Sequence, residues 1–178
     1  MQNNTKISFQ EFLQIAETTD EPLELINGQI IKVANATPRK GKIVSNVSYL
    51  FGKNLPEQAF CFSNMVFVLD EYHCPHADIL IVENDSVNGE FLQNPTVVAQ
   101  IVTNLNDKEN LTIYQNCPSI SEILLIEQAR AEITVYQRGK FGRWSEQVYQ
   151  NGDEIELESI NLTLKVDDIY QKVVFDKQ

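Results

Sequence analysis

The spacing of apolar residues along the chain changes between a helical and a strand period, and these changes predict the order of the elements. Ser8 and Glu11 form the capping-box pattern that opens a short amphipathic helix near the N-terminus. A second helix is predicted to begin at Thr37-Pro38, since threonine is a good N-cap and proline suits the first helical position. The residues of its apolar face are Ile43, Val47, Leu50 and Phe51.

The segment between these helices predicts a β-hairpin. Residues 23–26 and 29–33 are strand-length runs on either side of Asn27-Gly28. Asn-Gly suits a two-residue hairpin turn, because both central residues need a positive φ that asparagine and glycine adopt readily.

From residue 60 onward the chain is rich in apolar runs of strand length. Strands are predicted at 60–69, 77–82, 96–102, 122–126, 132–137, 143–149 and 161–165. Acidic residues that alternate with apolar ones after residue 152 predict the solvent-facing side of one more strand. A polar helix is predicted at 107–115, and a short C-terminal helix carries Ile169 and Tyr170. The runs ADILIV, TVVAQIV and SEILLI are typical of strands covered on both faces.

The expected fold class is α/β in the mixed α+β sense, with a central mixed sheet flanked by helices and an N-terminal β-hairpin. No repeat, low-complexity tract or linker is found, so residues 1–178 are expected to form a single domain. No stretch approaches the ~18 uncharged apolar residues of a membrane span. The N-terminus also lacks a signal-peptide pattern, so we expect a cytoplasmic protein without a membrane segment.

The charge of the chain argues against strong binding of nucleic acid. The formal net charge is −11 and the pI is about 4.6, whereas proteins that bind nucleic acid usually carry a basic footprint. Any contact with nucleic acid is therefore expected to be local, salt-sensitive and weak. The residues of the one dense basic segment are Lys32, Arg39, Lys40 and Lys42. They could face phosphates, although a solvated helix start is the commoner explanation.

Cysteine and histidine do not form a familiar metal or disulfide pattern. The three cysteines are an odd, widely spaced set, which is typical of free thiols in a reducing compartment. His73-Cys74-Pro75-His76 resembles half of a zinc site, but zinc needs four ligands and the other cysteines have no partner beside them. A turn before the next strand is the favoured interpretation.

Two acidic residues stand out from the solvated majority. Glu24 lies inside the first hairpin strand, and Asp78 opens a buried apolar run. A carboxylate at such a position is costly to desolvate unless it is paired or holds a cation. Taken alone, the sequence pattern favours structural roles for both residues: Glu24 on an edge strand, and Asp78 as a helix cap or in a salt bridge.

Several segments, in order, resemble a large bacterial family of predicted restriction endonucleases, the Uma-type family of the PD-(D/E)xK nuclease superfamily. SFQEFL resembles its entry helix, LELINGQII its hairpin, TPRKGKI a helix start, and ADILIV the strand that carries the PD motif. PTVVAQIVTN, SEILLIE and AEITVYQRGKFGRW resemble the strands that follow. The resemblance covers residues 7–170 and implies a restriction-endonuclease-like fold.

The resemblance also implies a hydrolase that cleaves phosphodiester bonds with Mg²⁺ or Mn²⁺. In such sites carboxylates hold the metal, which polarises the phosphate, while a lysine stabilises charge in the transition state. The metal ligands implied for this chain are Glu24, Asp78 and Gln100.

Two positions depart from the family pattern. Gln100 stands where the family has Glu, so the site would lose a full negative charge. Asn110, four residues before Tyr114, stands where the family has a helix lysine. Lys108 is close in sequence, but two residues turn a helix by about 200°. Lys40 could supply a positive charge from another direction.

Two interpretations follow. The favoured one is a degenerate, catalytically impaired site, with no required cofactor, on a homodimeric binding or regulatory scaffold. The alternative is an active, divergent endonuclease in which Glu24, Asp78 and the carbonyl of Gln100 hold the metal and Lys40 or Lys42 replaces the lost lysine.

Overall fold

The computed structural model describes residues 6–34, 36–83, 91–103 and 110–176. The helices in these residues are α1 (Phe9–Ala16), α2 (Pro38–Asn54), α3 (Leu111–Asn116) and α4 (Val166–Ile169). The predicted capping box is present, since Ser8 and Glu11 each bond the other's backbone. Thr37 is the N-cap of α2 and accepts from the backbone N–H of Lys40. None of the helices in the described residues is long and apolar enough to cross a membrane.

Eleven strands lie in the described part of the chain. They are β1 (Leu23–Ile26), β2 (Gln29–Lys32), β3 (Ala59–Val68), β4 (His76–Glu83), β5 (Leu92–Gln93), β6 (Val97–Val102), β7 (Glu122–Glu127), β8 (Glu132–Arg138), β9 (Trp144–Gln150), β10 (Glu154–Leu157) and β11 (Leu162–Lys165). Seven of them form the main sheet in the order β5-β3-β4-β6-β7-β8-β9. The pairs β3–β5 and β6–β7 are parallel and the others antiparallel, which confirms the predicted mixed sheet.

Apolar side chains fill both faces of this sheet. On one face, α2, α4 and the β10–β11 hairpin pack their apolar residues against the odd-numbered residues of β4 and β6, such as Ile79 and Ala99, and against Leu124 of β7. On the other face, Tyr114 of α3 packs with Phe67 and Leu80. A smaller cluster joins α1 to the β1–β2 hairpin and contains Phe12 and Leu25. The two-sided burial explains why the central strands are apolar throughout.

The N-terminal hairpin has the predicted turn and register. Glu24 pairs with Ile31 and Ile26 with Gln29, so Asn27 and Gly28 form the turn, with φ of 54° and 74°. A Cβ at Gly28 would lie 2.7 Å from Cβ of Lys6, so a side chain here would meet the N-terminal segment. The turn therefore needs glycine for both its conformation and its close packing.

Two elements differ from the sequence predictions. The short strand β5 was not predicted, because two residues carry too little periodicity to reveal a strand. The polar helix predicted at 107–115 is observed as α3 from Leu111 to Asn116, and residues 107–109 lie outside the described part of the chain.

One edge of the main sheet is only partly covered in the described residues. β5 pairs with Phe67 and Val68 of β3, and no described strand pairs with this edge between Ala59 and Val66. No charged side chain lies on β3, and Phe60 and Met65 are about two-fifths exposed. Natural sheets usually protect such an edge with charge or proline.

Candidate functional site

Asp78 lies where β4 separates from its neighbour β6. The antiparallel pairing of these strands ends at Ile79 and Ala99. One step further, Oδ2 of Asp78 accepts a hydrogen bond from the backbone N–H of Ile101 at 2.8 Å. The carboxylate thus replaces a ladder bond, and the side chain is 0% exposed. On the other side of β4, Asn64 of β3 has a positive φ of 53°. Both neighbours of β4 therefore depart from regular strand pairing beside Asp78.

Lys40 reaches this carboxylate from the first turn of α2. Its Nζ lies 2.8 Å from Oδ1 of Asp78, and the residue is only 7% exposed. Oδ1 has no partner of hydrogen-bond geometry in the described residues, so the contact is an ion pair rather than a directional hydrogen bond. Lys40 precedes Ile43 by three residues and Val47 by seven, which is the spacing of one helix face. The burial of Lys40 could have been predicted from this spacing, but it was not among the sequence predictions.

Gln100 lies on β6 next to Ile101, whose backbone N–H binds Asp78. Strand alternation sets its side chain on the same face of the sheet as Val98 and Val102, which pack with Tyr114, whereas Ala99 and Ile101 face α2. Gln100 is 6% exposed, and its Oε1 is buried without a hydrogen-bond donor in the described residues. An unpaired buried carbonyl oxygen is costly, so this atom is an acceptor that the surrounding protein does not satisfy.

Glu24 approaches from the hairpin. Its Oε2 accepts from the backbone N–H of His76 at 3.1 Å, and His76 is two residues before Asp78. Burial lowers the pKa of His76, the charge of Asp78 opposes this shift, and Lys40 adds to it. Burial and then the charge of Glu24 raise the pKa of the neighbouring Cys74 to about 12. The structure therefore brings Glu24, Asp78, Gln100 and Lys40 to one end of β4.

Asn110 lies at the start of α3. It occupies the N-cap position without a side-chain capping bond, and its carbonyl accepts from the N–H of Tyr114. The hydroxyl of Tyr114 lies 3.5 Å from the carbonyl oxygen of His76, so α3 packs over the start of β4. Lys108, considered above as a substitute for the helix lysine, lies outside the described residues.

The segment His73–His76 forms a loop and the start of a strand. Nδ1 of His73 lies 2.8 Å from both carboxylate oxygens of Asp70, and Nε2 lies 3.1 Å from Oδ1 of Asn27. Cys74 is buried beside Leu25 of the hairpin. Within the described ranges, no group of three or more His, Cys, Asp or Glu side chains is arranged to hold a metal ion.

The four residues of the basic segment, considered above as a phosphate-facing edge but favoured as a solvated helix start, all have contacts within the protein. Lys32 pairs with Glu21 at 2.5 Å and Arg39 with Asp176 at 3.0 Å. Lys42 donates to the carbonyl of Lys172 at 3.0 Å. Lys40 is buried against Asp78, so it does not present its charge on the surface.

A groove of about 540 Å³ lies between the hairpin tip and α3, and none of the four grouped residues is among its described lining residues. Ile26 lines it, and Ile26 projects from the same side of β1 as Glu24, two residues earlier. Asp70, His73 and Asn116 supply its polar wall, and none of its described lining residues is Lys or Arg.

Comparisons with known proteins identify the family and the fold of the chain. The model of the Uma2 family, described as "putative restriction endonuclease", matches residues 9–167. The chain belongs to this family. A relative, the uncharacterized protein slr1290 of Synechocystis sp. (strain ATCC 27184 / PCC 6803 / Kazusa), is 27% identical over 179 residues, which span 96% of this chain and 94% of the relative. A second uncharacterized protein of that organism, sll1609, is 21% identical over 145 residues, spanning 75% of this chain and 82% of the relative.

A solved structure agrees with the fold of this Uma2 protein. The crystal structure of a "putative nuclease belonging to DUF820" from Anabaena variabilis ATCC 29413 superposes with a TM-score of 0.79. The two sequences are 18% identical, and the match covers 94% of this chain and 99% of the other. The predicted family and nuclease-type fold are thereby confirmed.

With Lys40 in its observed place, the residues of the site do not fit the divalent cation that the Uma2 family implies. A dication on Oδ1 of Asp78 would lie about 4 Å from the ammonium, given ordinary metal–oxygen distances. Repulsion between these charges is on the order of 8 kcal/mol at an effective dielectric constant near 20, which cancels roughly half of the attraction between the dication and Asp78. Gln100 adds no negative charge to offset it.

Proposed function

We propose that this Uma2 protein has a nuclease fold without effective cleavage activity and acts as a binding or regulatory scaffold. The observation that carries the proposal is the state of Asp78. This carboxylate is fully buried, and its two oxygens contact the ammonium of Lys40 and the N–H of Ile101. A phosphodiester and its metal would have to displace these partners first.

The two substitutions add to this effect. Gln100 keeps an oxygen but not a charge, which weakens the attraction for a dication. Loss of one charge-stabilising donor, here the lysine replaced by Asn110, typically lowers the rate by about 10²–10³. The two losses multiply unless they are coupled, so a rate close to background is expected.

The test is cleavage of supercoiled plasmid DNA in Mg²⁺ and, separately, in Mn²⁺. The matched control is Asp78→Ala, purified in parallel so that contaminating nucleases are equal. We expect the wild-type protein and the variant to show the same background nicking. Metal-dependent cleavage that Asp78→Ala abolishes would reject the proposal.

The position of Lys40 favours a second candidate, an active endonuclease with a divergent site. Its ammonium, 2.8 Å from Asp78, could take the place of the missing lysine in stabilising charge. In that case Lys40→Met should lower Mg²⁺-dependent cleavage by about 10²–10³, while Lys42→Met should leave it unchanged.

Nucleic-acid binding by this protein is expected to be weak. The groove between the hairpin tip and α3 is lined by Asp70 and by no described Lys or Arg. The ion pairs of Lys32 and Arg39 are partly exposed, so phosphates could compete for these two cations. Fluorescence anisotropy with labelled DNA should show binding only at low salt, weakened by Lys32→Ala. Salt-resistant binding would contradict this expectation.

Self-association is part of the proposed scaffold role. Within the described residues, the edge of β3 from Ala59 to Val66 is uncharged and has no strand partner, so a second copy could pair there. Light scattering should report a homodimer for the wild-type protein and a monomer for Met65→Lys. A monomeric wild-type protein would reject this part of the proposal.

A further inference from the structure

We infer that Lys40 is the resident cation of this site: it occupies the place of the divalent metal, and the chain gains a divalent-cation site when Lys40 loses its charge. The inference deepens the proposed function and rests on its assignment of Glu24, Asp78 and Gln100 to the ancestral ligand positions. It concerns binding rather than cleavage, so it can be tested separately.

The location of Lys40 is unfavourable for a cation unless a carboxylate compensates it. Thr37 is the N-cap of α2, which makes Lys40 the third residue of the helix. The positive end of the helix dipole repels a cation there. Burial to 7% exposure adds a desolvation penalty. The ion pair with Asp78 offsets both effects, so the two residues depend on each other.

Gln100 supplies an independent observation. Its Oε1 is buried, without a donor in the described residues, and Gln100 directly precedes Ile101, whose N–H binds Asp78. The ammonium of Lys40 satisfies Asp78 but leaves this oxygen unpaired. A hard divalent cation prefers oxygen donors, so an unsatisfied carbonyl beside a carboxylate is a remnant of such a site.

The charges of the site point in the same direction. Among the described residues of the site, Glu24 and Asp78 contribute two negative charges and Lys40 one positive charge, a sum of −1. Removal of the lysine charge leaves −2, equal and opposite to a divalent cation. The three oxygen-bearing side chains then match the ligand types that Mg²⁺ and Mn²⁺ accept, with water completing the shell.

The experiment measures Mn²⁺ binding by electron paramagnetic resonance and by the thermal shift of the intact protein. The variants are Lys40→Met, which keeps the bulk of the stem without charge, and Lys40→Arg, which keeps the charge. We expect no bound Mn²⁺ in the wild-type protein or in Lys40→Arg. Lys40→Met should bind one Mn²⁺ and gain roughly 5–10 °C in Tm at a concentration about 100-fold above Kd.

The added substitution Asp78→Asn in the Lys40→Met background locates the site, since it should remove the bound Mn²⁺. If Lys40→Met does not fold, Lys40→Gln replaces it, because its amide can still donate to Asp78. Mn²⁺ bound by the wild-type protein and lost in Asp78→Asn overturns the inference. So does a folded Lys40→Met or Lys40→Gln that binds no Mn²⁺.

These outcomes separate the inference from the proposed function. Wild-type protein that binds Mn²⁺ without cleaving DNA defeats the inference and leaves the proposed function intact. Cleavage that persists in excess chelator and requires Asp78 defeats the proposed function and leaves the inference intact.

Discussion

Two carboxyl groups are buried in the central sheet, and the protein satisfies them in different ways. Asp78 adjoins the later part of β6, near Ile101, and has the ammonium of Lys40 as a partner. Glu122 pairs in register with Val97 at the start of β6 and is 2% exposed. The backbone N–H of Ser159 donates to Oε1 of Glu122 at 3.0 Å, and its hydroxyl donates to Oε2.

The difference separates two solutions to the same physical problem. Ser159 belongs to a 3₁₀ turn after β10, so Glu122 is capped by neutral donors close to each other in sequence. Asp78 instead receives a full charge from a side chain 38 residues earlier. The neutral hydrogen bonds of Ser159 attach one turn to the sheet, whereas the ion pair of Lys40 attaches the helix α2 to it. The second arrangement is the one found at Asp78, the residue proposed above as an ancestral metal ligand.

The largest expected effect comes from Lys40→Ala. The change leaves Asp78 buried without its counter-charge, and breaking a buried pair in this way typically lowers the free energy of unfolding by about 3–5 kcal/mol. Urea denaturation followed by circular dichroism measures the loss. The matched control is Lys42→Ala, an exposed lysine two residues along the same helix. Equal stability of the two variants would show that the ion pair is not a major support.

A smaller loss is expected for Ser159→Ala. Glu122 keeps the N–H of residue 159 but loses the hydroxyl donor, and a hydrogen bond to a charged group contributes about 1.5–3 kcal/mol. Ser145→Ala serves as the control, because its hydroxyl makes only an exposed 3.3 Å contact with the carbonyl of Gln137. If Ser159→Ala were as damaging as Lys40→Ala, the contrast between the two carboxyl groups would disappear.

Tyr170 extends the comparison to a buried group that is neutral at ordinary pH. Its hydroxyl lies 2.8 Å from the carbonyl oxygens of Glu127 and Glu132, and burial raises its pKa above the ordinary value of 10. As the pH rises, Tyr170 therefore loses its hydroxyl proton at a lower pH in the unfolded chain than in the folded protein. The stabilising contribution of Tyr170 is thus complete below pH 10 and decreases as the pH rises further. The slope for one such group approaches about 1.4 kcal/mol per pH unit.

Tyr170→Phe should remove this contribution. The variant is expected to be less stable at neutral pH, because the hydroxyl contacts are lost, but its stability should decline less steeply above pH 10. Urea denaturation across that range compares the two slopes. Parallel slopes would mean that Tyr170 ionises equally in both states.

The smallest effect is expected at an exposed ion pair. Arg39→Ala removes the 3.0 Å contact with Asp176, whose side chain is 90% exposed, and such pairs contribute about 0–1 kcal/mol. The loss should shrink further at high salt. If Arg39→Ala lowered the free energy of unfolding as much as Lys40→Ala, burial would not explain the different contributions of the Arg39–Asp176 and Lys40–Asp78 ion pairs.

Much of the fold could be predicted from the sequence because the relevant signals are local. Asn27-Gly28 fixes the hairpin register, and Ser8 and Thr37 mark two helix starts. Acidic residues alternating with apolar ones predicted β10, which runs from Glu154 to Leu157. The two-residue β5 gave no comparable signal.

The candidate site was harder, because its contacts join distant parts of the chain. Resemblance to the family located Glu24, Asp78 and Gln100, but it did not reveal that Lys40 pairs with Asp78. That contact depends on how α2 packs on the sheet. The sequence does hold one clue, since Lys40 falls on the apolar face defined by Ile43 and Val47, where a lysine needs a buried partner.

The shared helix face of Lys40, Val47 and Phe51 makes this chain sensitive to small insertions. One extra residue between Lys40 and Ile43 would rotate the lysine by about 100° relative to the apolar residues that seat α2. The ammonium would then swing away from the sheet while the rest of α2 stayed in place. Length in this single turn, rather than composition, thus decides whether Asp78 keeps its counter-ion.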